Sequence, residues 1–201
     1  MNWKGPDGHA YFVATHPDVY VPSDDTFLLA KAVAQEVVPG QRFVEVGCGA
    51  GLVSLVAAHA GAAVTATDLN PHAIATARHN ARENHLGMDV VQADLLAGLS
   101  GPFDVVAFNP PYLPTAPDEV VPGPLNLAFD GGKDGNGTVL RFAQQLSRLA
   151  HRPRTVLVVH SSLSDPGPLA AAMAALGYTC DVVLEENHFF ERLAVRRFRQ
   201  G

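Results

Sequence analysis

Cysteine is nearly absent. Cys48 and Cys180 are the only two, and they share no short spacing of the kind that binds a metal or runs a redox cycle, so a reducing cytoplasm is expected rather than a disulfide frame. No apolar run comes near the roughly 18 residues of a membrane span. Met1 to Ala10 holds Lys4, Pro6 and Asp7 and no signal-like apolar stretch, which predicts a soluble, unexported protein with no membrane partner. Basic charge is also short, with 14 Lys and Arg against 20 Asp and Glu and a net charge of -6. A protein that binds by neutralising phosphates needs clustered cations. The densest basic stretch, Arg192, Arg196, Arg197 and Arg199, reads as the solvated face of a strand, so nucleic acid is a disfavoured partner. No metal is expected, because neither His79 and His85 nor His151 and His160 have the spacing that lets two imidazoles share an ion on one helix face.

What the chain does have is apolar content, 47% over 201 residues, enough for one domain, 1–201, to bury a core without staples. Short β-branched runs alternate with Ala-rich helical stretches, the mark of βαβ units and a parallel sheet covered on both faces. Helices are predicted over Thr26 to Val38, Gly51 to Ala60, from Asn70-Pro71 onward, Thr138 to Leu149 and Pro168 to Leu176. Strands are predicted over Arg42 to Val46, Ala63 to Thr67, Met88 to Ala93, Phe103 to Phe108 and Thr155 to His160. Tyr178 to Glu185 and Arg192 to Phe198 read as a closing antiparallel pair. The Pro- and Gly-rich segment from Leu113 to Gly137 is long for a mere connection.

The first of these strands ends in Glu45-Val46-Gly47-Cys48-Gly49-Ala50-Gly51. Glycines here permit a tight turn and let a ligand approach the backbone. Alone they also fit a close helix–strand contact, and the dinucleotide fingerprint would want a glycine where Leu52 stands. The acids decide between ligands. Asp68 ends the second strand, where a carboxylate can accept both hydroxyls of an adenosine ribose. Asp94 ends the third, placed for an adenine amino group, and Glu45 lies beneath the turn. A pyrophosphate would be badly served by so much negative charge with no Lys or Arg in the turn. S-adenosylmethionine has no phosphate and carries two cationic groups, so it suits the same carboxylates. With the adjoining Cys48, Leu69 and Leu95, these residues make the candidate cofactor site, and S-adenosylhomocysteine would be the product.

The fourth strand runs into Asn109-Pro110-Pro111-Tyr112. The prolines end the strand in a rigid, extended course and leave the Pro110 carbonyl free to accept. With the Asn109 side-chain oxygen it forms a pair of acceptors that can grip both N–H bonds of a planar –NH2 group and aim its nitrogen. Tyr112 can cover that group from one face.

These stretches resemble class I methyltransferases with an N-P-P-Y motif, and among them the HemK-like glutamine N5-methyltransferases that modify the Gly-Gly-Gln motif of release factors. Three stretches carry the resemblance: Val19 to Leu29, similar to the family's VYxPSxDTxLL segment; the Glu45 to Gly51 turn; and Asn109 to Pro114. Leu127 to Gly135 resembles the substrate-side loop. The resemblance implies a Rossmann-like α/β fold, with a mostly parallel seven-stranded sheet, helices on both faces and a C-terminal antiparallel hairpin. It further implies that Tyr20 and Thr26 help enclose the cofactor, that Glu45, Gly47, Gly49, Asp68 and Asp94 bind it, and that Asn109 to Tyr112 hold a glutamine amide. About twenty residues precede the VYxPS-like segment, so 1–22 is read as an N-terminal segment in place of the bacterial enzymes' helical docking domain. That likens the chain to the short archaeal and eukaryotic form, which works with a small zinc-binding activator. The residues themselves leave other acceptors open: an exocyclic amine of a nucleic-acid base, a small molecule, or no reaction at all in a cofactor-binding module that stabilises a partner.

Overall fold

A computed structural model describes residues 1–112, 125, 131–132 and 134–201. Most of the substrate-side loop expected over 113–137 lies outside the described residues, Pro114 and the stretch from Leu127 to Asp130 with it.

A short hairpin, not expected from the sequence, opens the chain: β1 (Asn2–Lys4) pairs antiparallel with β2 (Ala10–Phe12). Its Trp3 stacks on Phe27 at 5.6 Å and its Tyr11 is fully buried, which seats the hairpin on α1 (Asp24–Glu36). Next come β3 (Arg42–Val46), α2 (Leu52–His59), β4 (Ala63–Asp68), α3 (Pro71–Glu83), β5 (Asp89–Gln92), β6 (Val105–Phe108), α4 (Gly137–Ser147), β7 (Thr155–Ser161) and α5 (Gly167–Ala175). The chain closes with β8 (Tyr178–Asn187) and β9 (Arg192–Gln200).

Seven strands form one sheet in the order β5-β4-β3-β6-β7-β9-β8. All pairs are parallel except those that β9 makes with β7 and β8, which is the expected architecture. Side chains alternate along β3: Phe43 packs with Leu28, Leu52 and Val56, whereas Val44 and Val46 pack with Phe142, Leu146 and Met173. One face is thus covered by α1 and α2 and the other by α4 and α5. On the first face α3 lays Ile74 and Ala77 against Ala66 and Val90.

Where element ends shift, they do so by one or two residues, for identifiable reasons. α1 starts at Asp24, with acidic Asp24 and Asp25 in its first turn, the favourable sign at a helix N-terminus. α2 waits until Leu52 because Gly51 is left-handed, with φ 82°. β6 starts at Val105, where the preceding Asp104 carboxylate is drawn to the Arg42 N–H at 2.8 Å and to its guanidinium. The basic stretch near the C-terminus is not a freely solvated face. Arg197 pairs with Glu36 and Asp181, Arg199 with Glu36 and Arg192 with Glu185.

The strand order reverses between β3 and β6: from β3 the chain steps outward to β4 and β5, then returns to the other side. A crevice opens at the carboxyl ends of strands around such a switch point, and both the glycine turn and Asn109 leave from those ends.

Candidate active site

At the switch point lies a cavity of about 480 Å³, within the usual range for a small-molecule site. The glycine turn, the ends of β4 and β5, the segment after β6 and the start of α1 all reach it. Of the residues singled out in the sequence, Tyr20, Thr26, Glu45, Gly47, Cys48, Gly49, Asp68, Leu69, Asp94, Leu95 and Asn109 to Tyr112 line the cavity. Gly51 does not. It takes φ 82°, and a Cβ there would meet the Ala77 Cβ at 3.0 Å, so this glycine lets α2 pack against α3. Gly49 differs: its φ is 52° and the nearest atom a Cβ would meet is the Tyr20 carbonyl oxygen at 3.9 Å, which leaves the backbone open to the cavity.

The acids have distinct jobs. Glu45 is buried on β3, and its Oε2 accepts from the Ser54 N–H at 2.7 Å and from the Ser54 hydroxyl. It therefore caps α2 from a neighbouring strand, where Gly51 has no side chain to do so. Burial pushes its pKa up to about 8 against the two Ser54 bonds, and the Asp68 charge adds to the rise. Asp68 accepts the Gly49 N–H on Oδ2 at 2.9 Å and the Asn70 N–H on Oδ1 at 2.8 Å. Its pKa is raised by burial, with these backbone bonds acting in opposition. Each oxygen keeps a further lone pair for a ligand hydroxyl. Asp94 is partly committed: at 43% side-chain exposure it pairs with Arg141 of α4, a partner its place in the sequence does not disclose. Leu95 beside it has φ 56°, and its carbonyl accepts the Thr67 hydroxyl at 3.0 Å. Cys48 is buried, and burial with the nearby charges of Glu45 and Asp68 pushes its thiol pKa well up, opposite to the lowered pKa of a reactive thiolate.

A second centre organises the other end of the cavity. Asp25, 4% exposed, accepts the Tyr20 hydroxyl at 3.1 and 3.2 Å, the Thr26 N–H at 2.6 Å and hydroxyl at 3.2 Å, and the Tyr112 hydroxyl at 3.3 Å. The N-terminal segment is thereby tied to the end of the Asn109 to Tyr112 motif. Burial first, then the negative charge of Asp25, raise the pKa of both tyrosines, so each remains a protonated donor. Asp25 and Glu191 were not foreseen as site residues, and both line the cavity. The segment before Tyr20 is held by α3: Asn80 bonds the Ala14 N–H and carbonyl, and Asn70 donates to the Asp18 carbonyl at 2.6 Å.

Pro110 and Pro111 are buried. The Asn109 Oδ1 is buried with no hydrogen-bond partner among the described residues. A buried acceptor left alone costs about 1–3 kcal/mol, and this one stands in the cavity wall, where a ligand donor can satisfy it. Among the described residues, His16, Asp18 and His72 form a group able to hold a metal, with ligating atoms within 4.8 Å of one another. Sequence spacing hides it, because His72 comes from α3 and the other two from the N-terminal segment.

Residues 11–120 match the family described as Methyltransferase small domain. A putative protein N5-glutamine methyltransferase of Methanocaldococcus jannaschii is 36% identical, over 90% of this chain and 91% of that protein. Methyltransferase HEMK2 of Mus musculus is 34% identical, over 92% and 91%. The release factor glutamine methyltransferase of Deinococcus radiodurans is 36% identical over 81% of this chain but only 61% of its own length. Among solved structures, the E. cuniculi Mtq2-Trm112 complex responsible for methylating eRF1 superposes with a TM-score of 0.74 at 24% identity, covering 92% of this chain and 99% of that one. The T. thermophilus 16S rRNA methyltransferase RsmC, in complex with AdoMet and guanosine, follows at 0.73 and 17%, covering all of this chain and 50% of that one. Both structural likenesses speak to the fold.

Proposed function

The chain belongs to the methyltransferase small-domain family, and from that membership we propose that it transfers a methyl group from S-adenosylmethionine to the side-chain amide nitrogen of a protein glutamine, the acceptor being the Gly-Gly-Gln glutamine of a peptide-chain release factor. The relatives' names carry the acceptor, and the orphaned Asn109 Oδ1 is the observation that ties it to this site.

The residues present fit the cofactor. The two oxygens of Asp68 suit its ribose hydroxyls, the open backbone at Gly49 admits close approach, and the buried carboxyls of Glu45 and Asp68 can ionise against its cationic groups. When bound, S-adenosylmethionine supplies an electrophilic methyl on a sulfonium and leaves as S-adenosylhomocysteine. Asn109 Oδ1 accepts one N–H of the substrate amide and the Pro110 carbonyl the other, which fixes the plane and heading of the nitrogen. An amide nitrogen is a poor nucleophile, so alignment and polarisation of its N–H bonds carry the rate. Tyr112, held by Asp25, covers the planar group. No strong base is required beforehand, because the nitrogen becomes acidic once methylated and its proton then leaves to solvent.

The partners of this reading are a release factor and a small activator subunit of the Trm112 kind, with which the E. cuniculi neighbour is complexed. The ion pairs that occupy Arg192, Arg197 and Arg199 speak against nucleic acid. Among the described residues no helix is long and apolar enough to cross a membrane, and a release-factor substrate supports a cytoplasmic setting. The test is transfer of labelled methyl to a release factor, its Gln→Ala form and ribosomal RNA, with and without the activator. Label on the factor alone, lost in the Gln→Ala form and with Asn109→Ala enzyme, is expected. Label on RNA alone would overturn the reading.

A further inference from the structure

The turn between β8 and β9 carries Phe189 and Phe190, which are 92% and 86% exposed. Their rings touch edge to face, with centroids 4.6 Å apart. Turn positions ordinarily hold Gly, Asn, Asp or Ser, and two adjacent phenylalanines put roughly 300 Å² or more of apolar surface into water, on the scale of patches that mark interaction sites.

The backbone beneath them is firmly held. The His188 N–H donates to the Glu191 carbonyl at 2.8 Å and closes the turn. His188 Nδ1 lies 3.3 Å from the Asp24 carboxylate at the start of α1, and Glu191 Oε2 accepts the Ser161 hydroxyl at 2.5 Å. The phenylalanines therefore stand on a fixed platform. That platform is continuous with the active site: Glu191, the next residue, lines the cavity, and its charge acts on the hydroxyls of Tyr20 and Tyr112. The aromatic pair thus stands next in the chain to a wall residue of the cavity that also holds Tyr112. A glutamine reaching Asn109 from a protein must lay its own backbone across the cavity mouth.

We propose that Phe189 and Phe190 form an apolar anchor for the polypeptide flanking the acceptor glutamine, so that the hairpin tip selects protein substrates. This rests on the glutamine reading above. Buried aromatic anchors carry a large share of binding energy at protein interfaces.

The test compares the full chain with its Phe189→Ser/Phe190→Ser variant on two substrates, the release factor and a free Gly-Gly-Gln tripeptide amide too short to reach the tip. KM for the release factor is expected to rise about tenfold or more, with kcat at saturation, cofactor Kd and tripeptide kinetics unchanged. A Phe189→Leu/Phe190→Leu variant should recover part of the affinity. Unchanged KM for the release factor would overturn the anchor and leave glutamine methylation standing. So would an equal rise in KM for both substrates, or a wild-type dimer that the serine variant splits without moving KM. Failure of the wild-type chain, with the activator subunit present, to methylate either substrate would take down the functional reading and this proposal with it.

Discussion

Glu45 is a buried acid that caps a helix, and its titration is predicted to set much of the pH dependence of stability. Its ordinary pKa of 4.5 is raised to about 8 in the folded chain, so between those values the native state holds a proton that the unfolded state has released. Unfolding then takes place with proton release, and stability falls as pH rises. The contribution is fully present below about pH 4.5, declines through the window and is gone above about 8. Each pH unit inside the window is worth about 1.4 kcal/mol. From about pH 5.5 to 7.5 the wild-type chain should thus lose roughly 2–3 kcal/mol relative to Glu45→Gln, which keeps an acceptor for Ser54 and does not titrate. Asp68, raised in the same direction, is common to both proteins and cancels in the comparison. Urea unfolding across the range measures the difference directly. A cationic cofactor favours ionised Glu45, so its binding should release protons at neutral pH, and calorimetry in buffers of different ionisation heat would detect them. Equal slopes for wild type and Glu45→Gln would refute this account of the acid beneath the glycine turn.

Asp68→Ala should weaken cofactor binding about a hundredfold, since it removes a buried acceptor of two ligand hydroxyls, and equilibrium dialysis reads that loss. Gly51→Ala is expected to destabilise the fold by about 1–3 kcal/mol, from the positive φ and the contact with Ala77, with cofactor affinity of the folded protein unchanged; loss of affinity at full stability would mean that Gly51 belongs to the site. Asp25→Asn keeps one acceptor oxygen for four donors and loosens Tyr20 and Tyr112 together. Its kcat should fall about tenfold or more with a smaller change in cofactor Kd, and an unaltered kcat would remove Asp25 from the machinery.

Much of this arrangement is legible in the chain because local rules and global fold agree. The β-branched runs bounded by turn residues locate β3, β4 and β7, and the motif that follows β6 lies where strand order reverses, so Gly49, Asp68 and Asn109 converge as their places along the sequence suggest. Failures occur where a side chain's partner comes from far away. Asp25 reads as a helix-start acid until Tyr20 and Tyr112 are seen to share it. Asp94 looks like a free strand-end carboxylate until α4 delivers Arg141. Arg197 looks solvated until α1 brings Glu36 beneath it. The N-terminal hairpin escapes because its strands have three residues each and draw their stability from Trp3 and Tyr11 packing on α1, not from any pairing signal of their own. Gly51 shows the converse: a glycine in a recognisable turn whose requirement is helix packing, which spacing alone does not separate from ligand contact.

In the proposed reaction Asn109 presents a glutamine amide nitrogen to the methyl donor, and tandem mass spectrometry of a release factor treated with this enzyme, its activator and S-adenosylmethionine reads the product. One added methyl is expected on the side-chain nitrogen of the Gly-Gly-Gln glutamine, present with wild-type enzyme and absent with Asn109→Ala. A methyl on any other residue, or an equally modified glutamine from the Asn109→Ala enzyme, would contradict it.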